Sequence, residues 1–392
     1  MNHAAPPILQ FGTSRFLQAH VDLFVSQALE CGAALGGITV VQTTTSAESA
    51  ARVAAFNARD GYAVQVRGWL NGSTVYTTLT CHAVQGALQA DVDWARVRAL
   101  AAGEVQVIVS NTGDRGYVPD DRDSPALLGD GADAPRGFPA KLVVLLHDRW
   151  RHRSLAPLSI YPCELISRNG DTLRDLVVAL ANCWALPVPF VDYLRTRCVW
   201  ANSLVDRIVS EPLQPAGAVA EPYALWAVER QAGLVLPCTH EAIVLTDDLA
   251  SFERRKLFLL NLGHSVLAEK WLLDRRRPDE TVLEAMNDAE MRETLEGVWA
   301  DEVLPVFDAL GQGARALAYL VELRARLLNP FLAHRVSDIA KDHALKKQRR
   351  FAPVLALAGE LGLTLAQPWL RAAMAGASGA ARSAPVPKSA SP

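Results

Sequence analysis

The first forty or so residues constrain the fold most. Ile8-Leu9-Gln10-Phe11 is a short apolar run that stops at Gly12. A segment with helical spacing follows, through Phe16, Val21, Phe24, Val25, Ala28 and Leu29, and ends at Cys31-Gly32. Ile38-Thr39-Val40-Val41 is β-branched and reads as a second buried strand. Two strands joined through a helix in about 35 residues make a βαβ unit, so the strands should run parallel.

Further along, Tyr62–Leu70 and Ser73–Thr80 have strand-like composition around Asn71-Gly72, a dipeptide suited to a tight hairpin turn. Val105–Val109 and Leu158–Tyr161 are further buried strands, with a helix over Pro139–Arg151 between them. Pro119–Pro135, rich in Asp, Gly and Pro, reads as a surface loop. Beyond about Pro237 the texture changes. Helix-period segments dominate, over Phe252–Leu273, Asp279–Gly297, Leu304–Leu310, Ala314–Leu328 and Asp338–Leu363. The expected architecture is an α/β N-terminal Rossmann-like domain with a parallel-dominated sheet (residues 1–236), then an all-α C-terminal domain (237–374). Residues 375–392, small and polar, form an expected disordered tail.

Composition narrows the function classes. Of 392 residues, 39 are basic and 42 acidic, so the chain lacks the basic footprint of a nucleic-acid binder. No apolar run approaches the roughly 20 residues of a membrane span. Met1-Asn2-His3-Ala4-Ala5-Pro6-Pro7 has no basic stretch followed by an apolar one, so a cytoplasmic protein is expected. The six cysteines form no C-x-x-C pair, and Cys238-Thr239-His240 has no partner pair at metal-site spacing. They read as reduced core residues, and no metal is expected.

The turn Gly12-Thr13-Ser14-Arg15-Phe16 lies between the first strand and first helix, where backbone N–H groups and the helix dipole favour an anion. Only the first glycine of a G-x-G-x-x-G pattern is present; Ser14 and Leu17 hold the other places. Such a turn suits either a nucleotide or an ordinary strand–helix junction. The second strand ends in Gln42-Thr43-Thr44-Thr45-Ser46, with no acid to grip a ribose. The amide and hydroxyls can bond a ribose or cap a helix, and Arg52 suits a 2′-phosphate.

In Arg255–His264, a helix at about 100° per residue puts Lys256, His264 and Asn261 near 0°, 80° and 140°. Three polar groups then share one broad side of an apolar helix. Unpartnered burial would cost several kcal/mol, so either other protein groups satisfy them or they line a wet pocket. A lysine beside an amide and an imidazole suits carbonyl reduction. The ammonium delivers a proton as hydride arrives, a role that desolvation favours, while Asn261 and His264 donate to the developing oxyanion.

These residues sit within an ordered set that resembles the mannitol dehydrogenase family of polyol-specific long-chain dehydrogenases. The set comprises Phe11-Gly12-Thr13-Ser14-Arg15-Phe16-Leu17-Gln18-Ala19-His20, Ser110-Asn111-Thr112, Cys163–Gly170 and Asn202–Ile208. Glu221-Pro222 with Trp226, the K-x4-N-x2-H set and Asn329-Pro330-Phe331 complete it. The resemblance implies Lys256 as catalytic acid/base, and Asn261 and His264 as the groups polarising the substrate oxygen. It implies Gly12 to Phe16 and Asn111-Thr112 at an NAD cofactor, beside Gln42 as the amide at the ribose, with NADP left open. It also implies Asp206 and Lys346 at the substrate. Leu165 and Asp338 depart from the mannitol 2-dehydrogenases, which carry asparagine and arginine at those places. Cys163-Glu164-Leu165-Ile166, Val40-Val41-Gln42 and N-P-F-x-x-H are closest to the altronate oxidoreductase (tagaturonate reductase) branch.

A hexuronate substrate needs a cation for its carboxylate, and Arg335 and Arg168 are the candidates. The expectation is therefore an NAD(P)-dependent oxidoreductase interconverting a keto sugar acid and its hydroxy form, with the nicotinamide held by the first half and substrate by helices of the second. The alternatives are a polyol or mannitol-1-phosphate-like dehydrogenase and a non-catalytic dinucleotide sensor. A phosphate would call on Lys341, Lys346, Lys347, Arg349 or Arg350, otherwise read as a mostly solvated helix face. Monomer and dimer are both left open.

Overall fold

The structure is a computed structural model that describes residues 5–58, 60–70, 72–113 and 116–380. The chain divides into two compact units, the first ending at Leu249 and the second starting at Ala250.

The first unit runs β1 (Ile8–Phe11), α1 (Arg15–Gln18), α2 (Val21–Glu30), β2 (Ile38–Gln42), α3 (Ala47–Asn57), β3 (Tyr62–Leu70), β4 (Ser73–Cys81), β5 (Val84–Gln89), α4 (Trp94–Ala102) and β6 (Val107–Ser110). It continues through α5 (Phe138–Arg153), β7 (Leu158–Pro162), α6 (Asn169–Cys183), α7 (Val188–Thr196) and β8 (Cys198–Trp200). The strands β9 (Ser203–Asp206), β10 (Val209–Pro212), β11 (Ala218–Ala220), β12 (Leu225–Glu229) and β13 (Ile243–Thr246) complete it. Six strands form an all-parallel sheet in the order β5-β2-β1-β6-β7-β8. Every residue of β1, β2, β6 and β7 is buried, as expected for strands covered on both faces.

The chain leaves β1 toward β2 on one side and later enters β6 on the other. The carboxyl ends of β1 and β6 are therefore a topological switch point, the usual ligand crevice of such sheets.

The expected βαβ unit and hairpin are present, with β3 and β4 antiparallel and Gly72 at φ +78°. Asn71 lies outside the described residues. The first helical segment is broken at Ala19-His20 into α1 and α2. The unit also extends past the expected boundary at residue 236. Ile243–Thr246 pairs with β12, which itself pairs with β9, so the chain between Pro237 and Leu249 belongs to the first unit.

The second unit is helical: α8 (Leu249–Arg255), which begins at the boundary residue, a π-helical turn over Lys256–Asn261, and α9 (Leu262–Leu273). After these come α10 (Val282–Asn287), α11 (Ala289–Gly297), a second π-helical turn over Val298–Val303, α12 (Leu304–Ala309) and α13 (Gly313–Leu327). The last elements are α14 (Val336–Ile339), α15 (His343–Arg350), α16 (Ala352–Glu360) and α17 (Pro368–Ala380). Leu259, Val266, Leu267, Trp299, Phe307, Leu320 and Phe351 lie in its core. Two expected helices are subdivided. Asp288 stops α10 and caps α11 by accepting from Met291 N–H, and Asp342, in the left-handed region, separates α14 from α15. Residues 375–380, expected in a disordered tail, continue α17, and 381–392 lie outside the described residues. No helix of the described residues is long and apolar enough to cross a membrane.

Candidate active site

In the first unit, the turn after β1 meets the segment after β6. Gly12 has φ +117° and donates its N–H to Val41 O at 3.0 Å. A Cβ at Gly12 would stand 2.7 Å from Asn111 O, so both the backbone angle and the space demand glycine. Ser14 caps α1 by accepting from Leu17 N–H, and its hydroxyl donates to Asn111 Oδ1 at 3.3 Å. The serine in the second glycine place thus ties the turn to the neighbouring strand end. Thr13 is buried, Arg15 exposed, and Phe16 stacks on His20 with centroids 4.8 Å apart.

At the end of β2, Gln42 is buried and donates from Nε2 to Thr44 O, while its Oε1 has no hydrogen-bond partner among the described residues. Arg52 spans from Thr13 Oγ1 (3.4 Å) to Ser49 Oγ (3.2 Å) and pairs with Glu48 at 2.5 Å. A glycine-only cradle at the switch point and an unspent buried acceptor beyond it suit a dinucleotide.

Beneath this crevice lies a residue that the sequence reading passed over. Glu164 is buried and accepts from Thr112 N–H (2.9 Å), Thr112 Oγ1 (2.9 Å) and Ser110 Oγ (3.1 Å). Burial raises its carboxyl above the ordinary range, against the pull of those donors. Asn111 Nδ2 donates to Cys163 O at 2.9 Å. The Ser110-Asn111-Thr112 stretch is therefore fastened to the end of β7. Asp206 is buried at the end of β9.

The second unit holds the candidate chemical groups. Lys256 opens the π-helical turn and Asn261 closes it. Within it Leu262 N–H bonds Leu257 O, an i to i−5 bond. In an α-helix the five-residue spacing would put Lys256 and Asn261 about 140° apart. The i to i−5 turn narrows that angle. The carbonyls that such a turn displaces find other donors. Trp299 Nε1 donates to Leu259 O at 3.1 Å, and Arg350 Nη1 donates to Asn261 O at 3.1 Å and Ser265 Oγ at 2.9 Å. Gly263 lets the Trp299 ring approach, for a Cβ there would meet it at 2.7 Å.

His264, one turn on, is 8% exposed and packs edge-on to His334 at 4.9 Å. Its Nε2 is enclosed and bonds nothing among the described residues. Burial, then the charges of His334, Arg350, Arg326 and Lys346, hold its pKa well below the ordinary value, so the ring is neutral near pH 7.

Lys346, Arg335 and Arg168 differ in their surroundings. Lys346, half-buried, donates to Ile339 O at 2.8 Å and acts on His264. Arg335 is exposed, and its charge helps lower Asp338. Arg168 pairs with Asp171 (2.6 Å) and Glu229 (3.4 Å).

The basic run on α15 is not a solvated face throughout. Lys347 is buried against Glu269 (2.9 Å) and Ala373 O (2.7 Å), and His343 joins the same carboxylate at 2.7 Å. Arg350 stands four residues from Lys346, on the same helix face. That spacing was the one available sign of its place; nothing local marked Arg326, which is buried on α13.

Comparisons with known proteins bear on the family and the fold. The profile of the mannitol dehydrogenase Rossmann domain matches residues 6–235, and that of the mannitol dehydrogenase C-terminal domain matches 248–376. An altronate oxidoreductase of Klebsiella pneumoniae is 31% identical over 94% of this chain and 78% of its own. That of Bacillus subtilis is 28% identical over 89% and 74% respectively. Among solved structures, a substrate-free D-sorbitol dehydrogenase superposes with a TM-score of 0.80 at 21% identity, covering 95% of this chain and 80% of that one. The Pseudomonas fluorescens mannitol 2-dehydrogenase, in complex with NAD and D-mannitol, gives 0.75 at 18%, covering 95% and 79%. At those identities the two structures speak to the fold.

Proposed function

Because the chain belongs to the mannitol dehydrogenase family, we propose that it is an NAD-dependent oxidoreductase that interconverts a keto sugar acid with its hydroxy acid, as between tagaturonate and altronate. The observation that carries this reading is His264. It is a neutral, enclosed imidazole whose Nε2 has no partner among the described residues, three residues beyond Asn261, which closes the π-helical turn that Lys256 opens. The altronate oxidoreductases among its relatives select the sugar acid over the polyol.

NADH supplies the hydride. Gly12 to Phe16 would hold its pyrophosphate, with Gly12 allowing the close backbone approach. Gln42 would bond the ribose, and Asn111 and Thr112, the latter fixed by Glu164, would border the nicotinamide end. Lys256 Nζ gives its proton to the ketone oxygen during reduction and takes it back in oxidation. Asn261 Nδ2 and His264 donate to that oxygen, stabilising the charge that develops on it. A neutral His264 serves better here than a cation, because it adds no positive charge to compete for the proton. Asp206 and Lys346 bind substrate hydroxyls. A cytoplasmic setting belongs to the same reading, and six unpaired cysteines suit a reducing compartment.

The test is NADH oxidation with tagaturonate, fructuronate, fructose and fructose 6-phosphate. A keto acid should be preferred, and Lys256→Ala should lower its turnover roughly 10²–10⁴-fold. Turnover that survives the substitution within about tenfold rules out the lysine as acid/base.

A further inference from the structure

Arg350 is anchored by one nitrogen and idle at the others. Nη1 holds Asn261 O and Ser265 Oγ, while Nη2 and Nε bond nothing among the described residues. Those two N–H groups form the lateral edge of the guanidinium, the fork that accepts a carboxylate in bidentate fashion. The side chain is half-buried, and α15 packs against both the π-helical turn and α9, which carry Lys256, Asn261 and His264. It forms no ion pair among the described residues, whereas Arg168 is spent on Asp171 and Glu229, and Lys347 on Glu269. Burial pushes Arg350 down to about 10, and the one charge acting on it is that of Arg349, also basic. A desolvated cation without a counterion is costly to keep. An arriving anion removes that cost.

We propose that Arg350 is the specificity residue that binds the carboxylate of the keto sugar acid, through its Nε/Nη2 edge, in place of the exposed Arg335. The role presupposes the sugar-acid substrate proposed above. With Nη1 fixed to the helix that bears the oxyanion donors, the fork sets the distance between carboxylate and ketone. Polyols and simple ketoses lack the charge and gain nothing from it.

The full-length protein, with Arg350→Gln and Arg350→Lys, tests this by initial rates of NADH oxidation against tagaturonate and fructuronate, with uncharged fructose as comparator. In Arg350→Gln the KM for the keto acid should rise at least about tenfold, with a smaller fall in kcat, because a charge-assisted bidentate contact is lost. Arg350→Lys keeps the charge but not the fork and should raise KM by at least about threefold; it gives the same reading if the glutamine variant fails to fold. Where fructose is turned over, its kcat/KM should fall less than that of the keto acid. An unchanged KM, with or without a lower kcat, overturns the role and leaves Arg350 as a support for Asn261 alone. If the unsubstituted protein reduces neither keto acid, the sugar-acid reading fails and this role with it. Turnover with an unmoved KM removes only the role.

Discussion

At the residue scale, the two ends of the proposed chemistry each rest on a single residue with no close substitute. Gly12 combines φ +117° with a 2.7 Å approach to Asn111 O. Gly12→Ala should therefore raise the KM for NADH at least about tenfold and lower thermal stability, read by initial rates and by a melting curve. An unchanged KM would mean the turn does not lie against the cofactor. His264 gives a second residue-scale expectation. Its pKa lies well below the ordinary value, so the ring should carry no proton change between pH 6 and 8. Nuclear magnetic resonance of the labelled imidazole should show a neutral ring across that range. A titration centred near 6.5, the free-imidazole value, would contradict the enclosed environment.

At the element scale, the π-helical turn is the feature that hydrophobic periodicity could not reveal. Lys256, Asn261 and His264 were legible as polar positions on an apolar helix. The turn that carries them depends on a bond from residue 262 back to 257, and on donors from Trp299 and Arg350, which lie far along the chain. Gly263→Ala drives a methyl into Trp299. It should lower kcat by about tenfold or more by shifting the turn, with little change in the KM for NADH; a KM effect alone would point elsewhere.

The loops after β6 and β7 form the matching element in the first unit. Glu164→Ala removes the one oxygen that accepts both Thr112 bonds, along with the acceptor of the Ser110 and Tyr117 hydroxyls. The KM for NADH should rise by about tenfold as Thr112 loosens, while an unmoved KM would separate that loop from cofactor binding.

At the scale of the whole molecule, the succession of βαβ unit, hairpin, parallel strands and helical half was readable because each depends on local period and on glycine or proline punctuation. What was not readable depended on partners distant in sequence. Ile243–Thr246 becomes a strand only because β12 offers it an edge, which moves the unit boundary to Leu249. Lys347 is buried because Glu269, 78 residues away, receives it. Arg335 looked suitable by its place beside His334, yet the bridge it shares with Thr281 leaves it exposed.

Stability carries one such buried group. Asp22, in the first turn of α2, is enclosed and accepts from Tyr62 Oη at 2.7 Å, and burial raises its pKa from 3.8 to about 7. The folded carboxyl keeps its proton up to about pH 7, while the unfolded one loses it near 3.8. Its contribution is full below pH 3.8 and drains away as pH rises toward 7, by about 4 kcal/mol in all. Asp22→Asn should be more stable than the unsubstituted protein at pH 8, with the difference shrinking toward pH 4. Denaturant melts at both pH values check this, and a difference independent of pH would refute it.

The central claim is that Lys256, Asn261 and His264 converge on one substrate oxygen. A crystal structure with NADH and a non-turning-over sugar-acid analogue measures this directly. The ketone-equivalent oxygen should lie within about 3.2 Å of Lys256 Nζ and within hydrogen-bond reach of Asn261 Nδ2 and His264 Nε2. An analogue bound with its oxygen away from Lys256, and that amine turned to bulk water, would contradict the account.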